Sequence, residues 1–196
     1  MTMDTSRCPR LFEPRDSLPQ RHSASGKALF LDRDGVINVN HGYVHTPGQT
    51  DWVEGIFELC RIAQDAGYDL IVVTNQAGIA RGYYSETTYL AYTQWLHGQF
   101  AERGIHLLAT YYCPHHPEAG VGCWRLNCEC RKPHPGMILA AAERYGINLA
   151  ASVMVGDNVS DQRAAQAAGV GAYVMVEEAM AEKHRVLSVV PDAQGQ

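Results

Sequence analysis

KALFLDRDGVIN, residues 27–38, decides how the rest of the chain is read. Lys27 to Leu31 is a short apolar run with the length and composition of a buried strand, and Asp32, Arg33, Asp34 and Gly35 follow without a spacer. Residues two apart on an extended chain point the same way and lie roughly 6.6 Å apart along it. Asp32 and Asp34 therefore converge on one spot at a strand end. Aspartate and glycine also build ordinary turns, so the weight of this run depends on what lies at the neighbouring strand ends.

Outward from it, short apolar runs alternate with helical segments. Asp69–Val73, Leu107–Tyr112, Ser152–Val155 and Ala172–Val176 read as further strands. Glu54–Ala66 carries apolar residues on one helix face with Gly67 as a stop; Ser85 suits an N-cap for a helix running through Leu90–Phe100. Pro135 opens a helix over Gly136–Tyr145, closed by Gly146, and Ser160–Ala168 reads as another. Strands alternating with helices mean βαβ units, so the expected fold is α/β, a Rossmann-like doubly wound parallel sheet. In such sheets ligands bind beyond the carboxyl ends of the strands.

The 196 residues suit one domain, expected over residues 27–176, with a core burying roughly 70% of the unfolded surface. A hydrophobic share of 46% with 19% charged residues excludes disordered and collagen-like classes. The net charge of −5 gives no electrostatic reason to seek nucleic acid or an anionic membrane, and no apolar run is long enough to span a bilayer. Residues 1–26 are polar, with Pro9, Pro14 and Pro19, and are expected to be a disordered leader without the apolar stretch of a secretory signal. That points to the cytoplasm, where thiols stay reduced. Residues 177–196 read as a polar tail with a weakly helical start, and a monomer is the expected state.

The other strand ends carry chemistry too. Thr74, Asn75 and Gln76 follow the second strand, and the Thr74 hydroxyl with nearby backbone N–H groups suits phosphoryl oxygens. Lys132 offers a point positive charge before the Pro135 helix. Gly156, Asp157 and Asp161 follow the fourth strand, a carboxylate pair of the kind that holds Mg²⁺ through oxygen. Each alone has a bland explanation. Their order along the chain does not.

That ordered series resembles the haloacid dehalogenase-like superfamily, and the match spans Ala28 to Val176. The resemblance implies a Mg²⁺-dependent phosphatase. Asp32 would be the nucleophile, and Asp34 the acid that protonates the leaving alcohol and then activates water. Thr74 and Lys132 would hold the phosphoryl oxygens. Mg²⁺ would be bound by Asp32, the main-chain carbonyl of Asp34 and Asp157, neutralising the repulsion between nucleophile and phosphate.

Between the third strand and Lys132 lie Cys113, His115, His116, Cys123, Cys128 and Cys130. Cys113-x-His115 and Cys128-x-Cys130 are two tight pairs that can close a tetrahedral Zn²⁺ site, structural because four protein ligands leave no open position. Disulfides are the competing reading, disfavoured in a reducing compartment. Cys123 and His116 are spare residues that can replace a ligand, Cys60 falls on a helix face as core, and Cys8 is expected to be idle in the leader.

DRDGVIN, NHGYVHTP, TNQAGIARG, CPHHP, CECRKPHPGM and VGDN together resemble the D-glycero-D-manno-heptose-1,7-bisphosphate 7-phosphatases, with histidinol-phosphate phosphatases as the neighbouring group. Both groups carry a zinc loop, here residues 113–130, and neither has a large cap domain. The resemblance implies a small sugar bisphosphate as substrate, in heptose precursor synthesis for lipopolysaccharide or nucleotide-activated heptose. Contacts would come from Asn40, His41, Gly42, Tyr43, Thr74, Asn75, Gln76, Arg131 and Lys132. Some members have lysine after the Gly-Asp pair, where this chain has Asn158, a weaker grip on a phosphate or sugar hydroxyl. A zinc-stabilised binding module without turnover is the reading from another class; it has to treat the whole ordered acidic set as accident.

Overall fold

The computed structural model describes residues 8–14 and 26–188. Its centre is a six-stranded sheet built from β1 (Arg10–Phe12), β2 (Ala28–Leu31), β3 (Asp69–Asn75), β4 (Leu107–Cys113), β5 (Val153–Gly156) and β6 (Ala172–Met175). The strand order is β1-β4-β3-β2-β5-β6, with every pairing parallel except β1 against β4. The chain runs outward from β2 through β3 to β4, then returns to the other side of β2 for β5 and β6. The direction reverses between β2 and β5, and that switch point is where doubly wound sheets open a crevice.

The central strands are buried on both faces, which is why they read as continuous apolar runs. Their side chains alternate between two cores. Leu29, Leu31, Leu70, Val72, Val153 and Val155 point into one, Phe30, Ile71, Val73 and Met154 into the other. The first core is covered by α1 (Ile56–Asp65), α3 (Glu86–Ala101), α6 (Val176–Ala181) and α7 (Lys183–Val186); the second by α4 (Gly136–Tyr145) and α5 (Val159–Ala168). A single-turn α2 (Ala77–Ala80) sits just past β3.

Local signals set the helix ends. Ser85 Oγ accepts from the Thr88 N–H at the start of α3, and Gly146, at φ 60°, closes α4. At α5, Asn158 and Asp161 form a reciprocal capping box. Between β2 and α1 the chain makes only bridges, turns and one short 3₁₀ turn at Pro47–Gln49, so no separate cap domain rises there. No helix among the described residues is long and apolar enough to cross a membrane.

Both chain extensions differ from expectation. Within the expected leader, Arg10–Phe12 is a strand on the sheet edge, paired Arg10 to Tyr112 and Phe12 to Thr110; residues 1–7 and 15–25 lie outside the described residues. A tertiary partner, not local propensity, makes that strand. The start of the expected tail is helical and packed: Val176, Ala179 and Val186 are buried in the first core, and residues 189–196 lie outside the described residues.

Candidate active site

Asp32 leaves β2 with its N–H donated to the Val155 carbonyl, so this carboxylate is tied to β5 across the switch point. A cleft of about 570 Å³ opens there, lined by Asp32, Asp34, Asn40, Gly42, Tyr43, Thr74, Asn75, Gln76, Arg131, Lys132, Asp157 and Asn158 among others. These are sequence-predicted residues from five separate stretches. His41 is absent from the lining: it is exposed and its Nε2 lies 2.7 Å from Asp51 Oδ2.

Lys132 is buried, and all three ammonium protons have acceptors: Asp32 Oδ1 at 2.8 Å, Asp161 Oδ1 at 2.6 Å and the Val73 carbonyl at 2.9 Å. Burial alone would depress its pKa, but Asp32 and Asp161 overcome that and hold it above the ordinary value. Burial raises the Asp32 carboxyl; Lys132 opposes the shift, while Asp161 and Asp34 add to it. Asp157 is raised for the same reasons, burial first and Asp161 next.

Carboxylate oxygens of Asp32, Asp157 and Asp161 all lie within 4.8 Å of one another. Three acids against one lysine leave excess negative charge, and the raised pKa values of Asp32 and Asp157 mark a crowd that a hard dication relieves. The donor set fits magnesium. Gly35, at φ 93°, makes the crowding possible: a Cβ there would overlap the Asp157 carboxylate.

Asp34 is gripped from three sides. The Arg33 guanidinium donates to both of its oxygens, at 2.7 and 2.6 Å, and Asn38 Nδ2 and Gln76 Nε2 add bonds at 3.1 and 3.3 Å. Arg33 itself is buried over the rings of Tyr89 and Tyr92. Gln76 also donates to Thr74 Oγ1 and accepts from the Tyr84 hydroxyl, so its amide bridges Thr74 to Asp34. Asn75 clamps the Lys132 backbone through both amide atoms, each bond 3.0 Å. Asn158 uses its carbonyl oxygen to cap α5. Several residues expected to touch substrate thus have their polar atoms engaged in holding the reactive groups.

A second cluster lies beyond β4. Cys113, His115, Cys128 and Cys130 come together as predicted, and Cys8 joins them. Sulfurs 2.3 Å from a common centre at tetrahedral angles are about 3.8 Å apart. Cys113 and Cys128 are separated by 3.5 Å, Cys128 and Cys130 by 3.4 Å, and His115 Nδ1 lies 3.9 and 4.0 Å from Cys113 and Cys130. The spacing fits zinc. Cys8, expected to be idle, is instead disulfide-bonded to Cys130, with Cα atoms 5.9 Å apart. Cys123 is exposed and outside the cluster, and the His116 ring accepts from the Glu118 and Ala119 N–H groups.

Residues 129–192 match the HAD-hydrolase-like family. The D-glycero-beta-D-manno-heptose-1,7-bisphosphate 7-phosphatase of Vibrio cholerae serotype O1 is 52% identical over 149 residues, covering 76% of this chain and 80% of the relative. The protein of the same description from Escherichia coli K12 is 48% identical over 149 residues, covering 76% and 78%. The chain belongs to the heptose-1,7-bisphosphate 7-phosphatase family. Among solved structures, D,D-heptose 1,7-bisphosphate phosphatase from B. bronchiseptica, complexed with magnesium and phosphate, is 34% identical with a TM-score of 0.67, covering 76% of this chain and 79% of that one. A HAD-like phosphatase from Mesorhizobium loti is 27% identical with a TM-score of 0.78, covering 95% and 96%.

In this member of the heptose-bisphosphatase family two features escaped the sequence reading. Arg33 lies within the Asp-x-Asp-Gly run, but its burial against Asp34 depends on Tyr89 and Tyr92 from α3. By sequence alone Asp161 pairs with Asp157 as a Mg²⁺ candidate. In the fold one oxygen accepts the Asn158 N–H and the other meets Lys132, so it orients the lysine.

Proposed function

We propose that this chain removes the 7-phosphate of D-glycero-β-D-manno-heptose 1,7-bisphosphate, with Asp32 as nucleophile. The observation that carries the substrate is the 52% identity to a relative of that description, over four fifths of its length. The chemistry is supported by Asp32, Asp34, Thr74, Lys132 and Asp157 sharing one cleft at the switch point.

Mg²⁺, held by Asp32, the Asp34 carbonyl and Asp157, would offset the negative charge that otherwise keeps a carboxylate from a phosphate. Asp32 attacks phosphorus in line and forms an aspartyl-phosphate. Lys132 and the Thr74 hydroxyl hold phosphoryl oxygens while charge redistributes. Asp34, aimed by Arg33, Asn38 and Gln76, protonates the departing sugar oxygen and then takes a proton from the water that hydrolyses the intermediate. Arg131, whose Nη1 donates to the His115 carbonyl, presents its planar fork at the cleft for the distal end of the sugar bisphosphate. Asn40, Gly42, Tyr43 and Asn158 line the same approach. Cys113, His115, Cys128 and Cys130 would hold structural zinc, and that zinc would fix the Arg131–Lys132 segment.

The test is a substrate panel with Mg²⁺: both anomers of the heptose bisphosphate, fructose bisphosphate and histidinol phosphate, with the site of phosphate release located by NMR. Release of the 7-phosphate from the β anomer, with the highest kcat/KM of the panel, is expected. Preference for histidinol phosphate overturns the assignment.

A further inference from the structure

Cys8 is the fifth donor at a cluster where zinc takes four. Its place there follows from the sheet: β1 runs antiparallel to β4 with Arg10 opposite Tyr112, so the chain two residues earlier reaches the level of Pro114, between Cys113 and His115. Cys8 Sγ lies 3.7 Å from His115 Nδ1. The strand is docked by contacts that do not involve sulfur. Arg10 lies 3.6 Å from Glu86 and sits over the Trp124 ring, and Phe12 packs edge-on to His97. Cys8 is therefore held beside Cys130 whether or not the two sulfurs are joined. It is only half-buried, whereas Cys113, His115, Cys128 and Cys130 are buried, so Cys8 is the sulfur of the cluster most open to solvent.

The disulfide and a full zinc site exclude each other. With Cys130 bonded to Cys8, the predicted set keeps Cys113, His115 and Cys128, three donors where structural zinc takes four. His115 is fully buried, its Nε2 has no hydrogen-bond partner among the described residues, and its Nδ1 faces the sulfurs of Cys8, Cys113 and Cys130. We propose that Cys8 is a thiol modification site that competes with zinc: a peroxide oxidises Cys8 and Cys130 to the disulfide, and the metal is released. The proposal rests on the zinc reading given above.

The chemistry balances. The Cys8 sulfur attacks one peroxide oxygen, the O–O bond breaks, and the second oxygen leaves as water after protonation, giving a sulfenic acid. The Cys130 sulfur then attacks the Cys8 sulfur and expels hydroxide, which leaves as a second water. Two thiols and one hydrogen peroxide give one disulfide and two waters, the two electrons passing from sulfur to oxygen. A thiol reductant reverses it.

The experiment uses the full chain purified under reducing conditions. Zinc is counted by atomic emission, hydrogen peroxide is then added, zinc release is followed with a chromogenic chelator, and sulfur pairing is mapped on non-reduced peptides. One zinc per reduced chain is expected. About one zinc should be released per Cys8–Cys130 bond formed, and both changes should reverse with dithiothreitol and added Zn²⁺. Cys8→Ser, with Cys8→Ala as a second variant, should bind zinc normally and release it about tenfold more slowly. Release at the parental rate from both variants overturns the proposal. So does a Cys8–Cys130 bond in chains that keep their zinc, or failure of the variants to bind zinc, which makes Cys8 a ligand. Absence of zinc from the reduced chain, seen before any oxidant is added, overturns the zinc reading itself and with it this competition.

Discussion

The Lys132 ammonium lies 2.6 Å from Asp161 Oδ1, and Asp161 is fixed in turn by accepting the Asn158 N–H through its other oxygen. A helix cap thereby aims the cleft's buried cation. The Asp32 side reads the consequence: its Oδ1 is 2.8 Å from the same ammonium. Asp157 and Asp161 sit in one Gly-Asp-x-x-x-Asp run, yet their surroundings set different tasks. Asp157→Asn is expected to raise the Mg²⁺ concentration for half-maximal rate by tenfold or more, on the scale by which ligand-shell changes weaken metal sites, about 10–100-fold. Asp161→Asn should leave that concentration nearly unchanged and lower kcat by about 10²-fold, the scale of a misplaced catalytic group. Magnesium titrations of both variants separate the roles; equal shifts in both would merge them.

Asp32→Asn is expected to abolish turnover while the far-UV spectrum stays parental, because an amide does not attack phosphorus. Activity within about tenfold of the parent, a barrier change of only ~1.4 kcal/mol, would remove Asp32 from the nucleophile position.

Asp34→Asn removes both leaving-group protonation and water activation, each worth on the order of 10²–10⁴-fold. Nitrophenyl phosphate, whose leaving group needs no proton, should bypass the first loss and let phosphoenzyme accumulate. Rapid-quench assays would show a burst of nitrophenolate followed by slow turnover. Parental turnover without a burst contradicts the acid–base role.

His97 supplies the pH prediction. It is buried between α3 and β4 with Nε2 bonded to Thr110 Oγ1, and burial pushes its pKa down to about 3 from 6.5. The folded chain holds it neutral while the unfolded chain protonates it below pH 6.5, so its stabilising contribution is full above that pH and declines as pH falls toward 3. The slope is ~1.4 kcal/mol per pH unit. Between pH 7 and pH 5 the parent should lose about 2 kcal/mol more than His97→Gln, from urea midpoints measured at both values. Parallel losses in the two proteins would exclude His97 as the source.

Much of this fold could be read directly from the chain because strands β2 to β5 are covered on both faces and so appear as unbroken apolar runs. Reactive residues placed straight after such runs fall at the sheet's carboxyl edge by geometry alone, which is why Asp32, Thr74 and Asp157 were visible. What stayed hidden depends on chain returns. Arg10–Phe12 is three residues long with no periodicity to display, and only its pairing with β4 makes it a strand. Cys8 meets Cys130 across a separation of 122 residues. His41 sits in the right loop, but Asp51 ten residues later takes its ring nitrogen. Gln76 and Asn75 do line the cleft, but no local pattern shows that their amides also engage Thr74, Asp34, Tyr84 and Lys132.

Zinc removal tests whether the cluster serves the cleft at a distance. Cys113 and His115 extend from the end of β4, Cys128 and Cys130 precede Arg131 and Lys132 directly, and Arg131 also donates to the His115 carbonyl. A metal joining these four residues would tie the Arg131–Lys132 segment to a rigid strand. Lys132 has further anchors, since Asn75 grips its backbone and Asp32 and Asp161 its ammonium. Among the described residues Arg131 has one side-chain hydrogen bond, to the His115 carbonyl, and that residue belongs to the cluster. Loss of zinc should therefore disorient Arg131 more than Lys132. Misplacement by about 1 Å costs around 10²-fold where geometry governs rate. Chelation of the reduced chain, followed by Mg²⁺ replenishment, should lower kcat/KM for the heptose bisphosphate by that order, while small phosphate esters that do not reach Arg131 fall by less than about tenfold. Added Zn²⁺ should restore the bisphosphate rate, and Arg131→Ala should show the same substrate-selective loss with zinc still bound. Equal losses on both substrate types would mean that the cluster supports the fold as a whole and not the aim of Arg131.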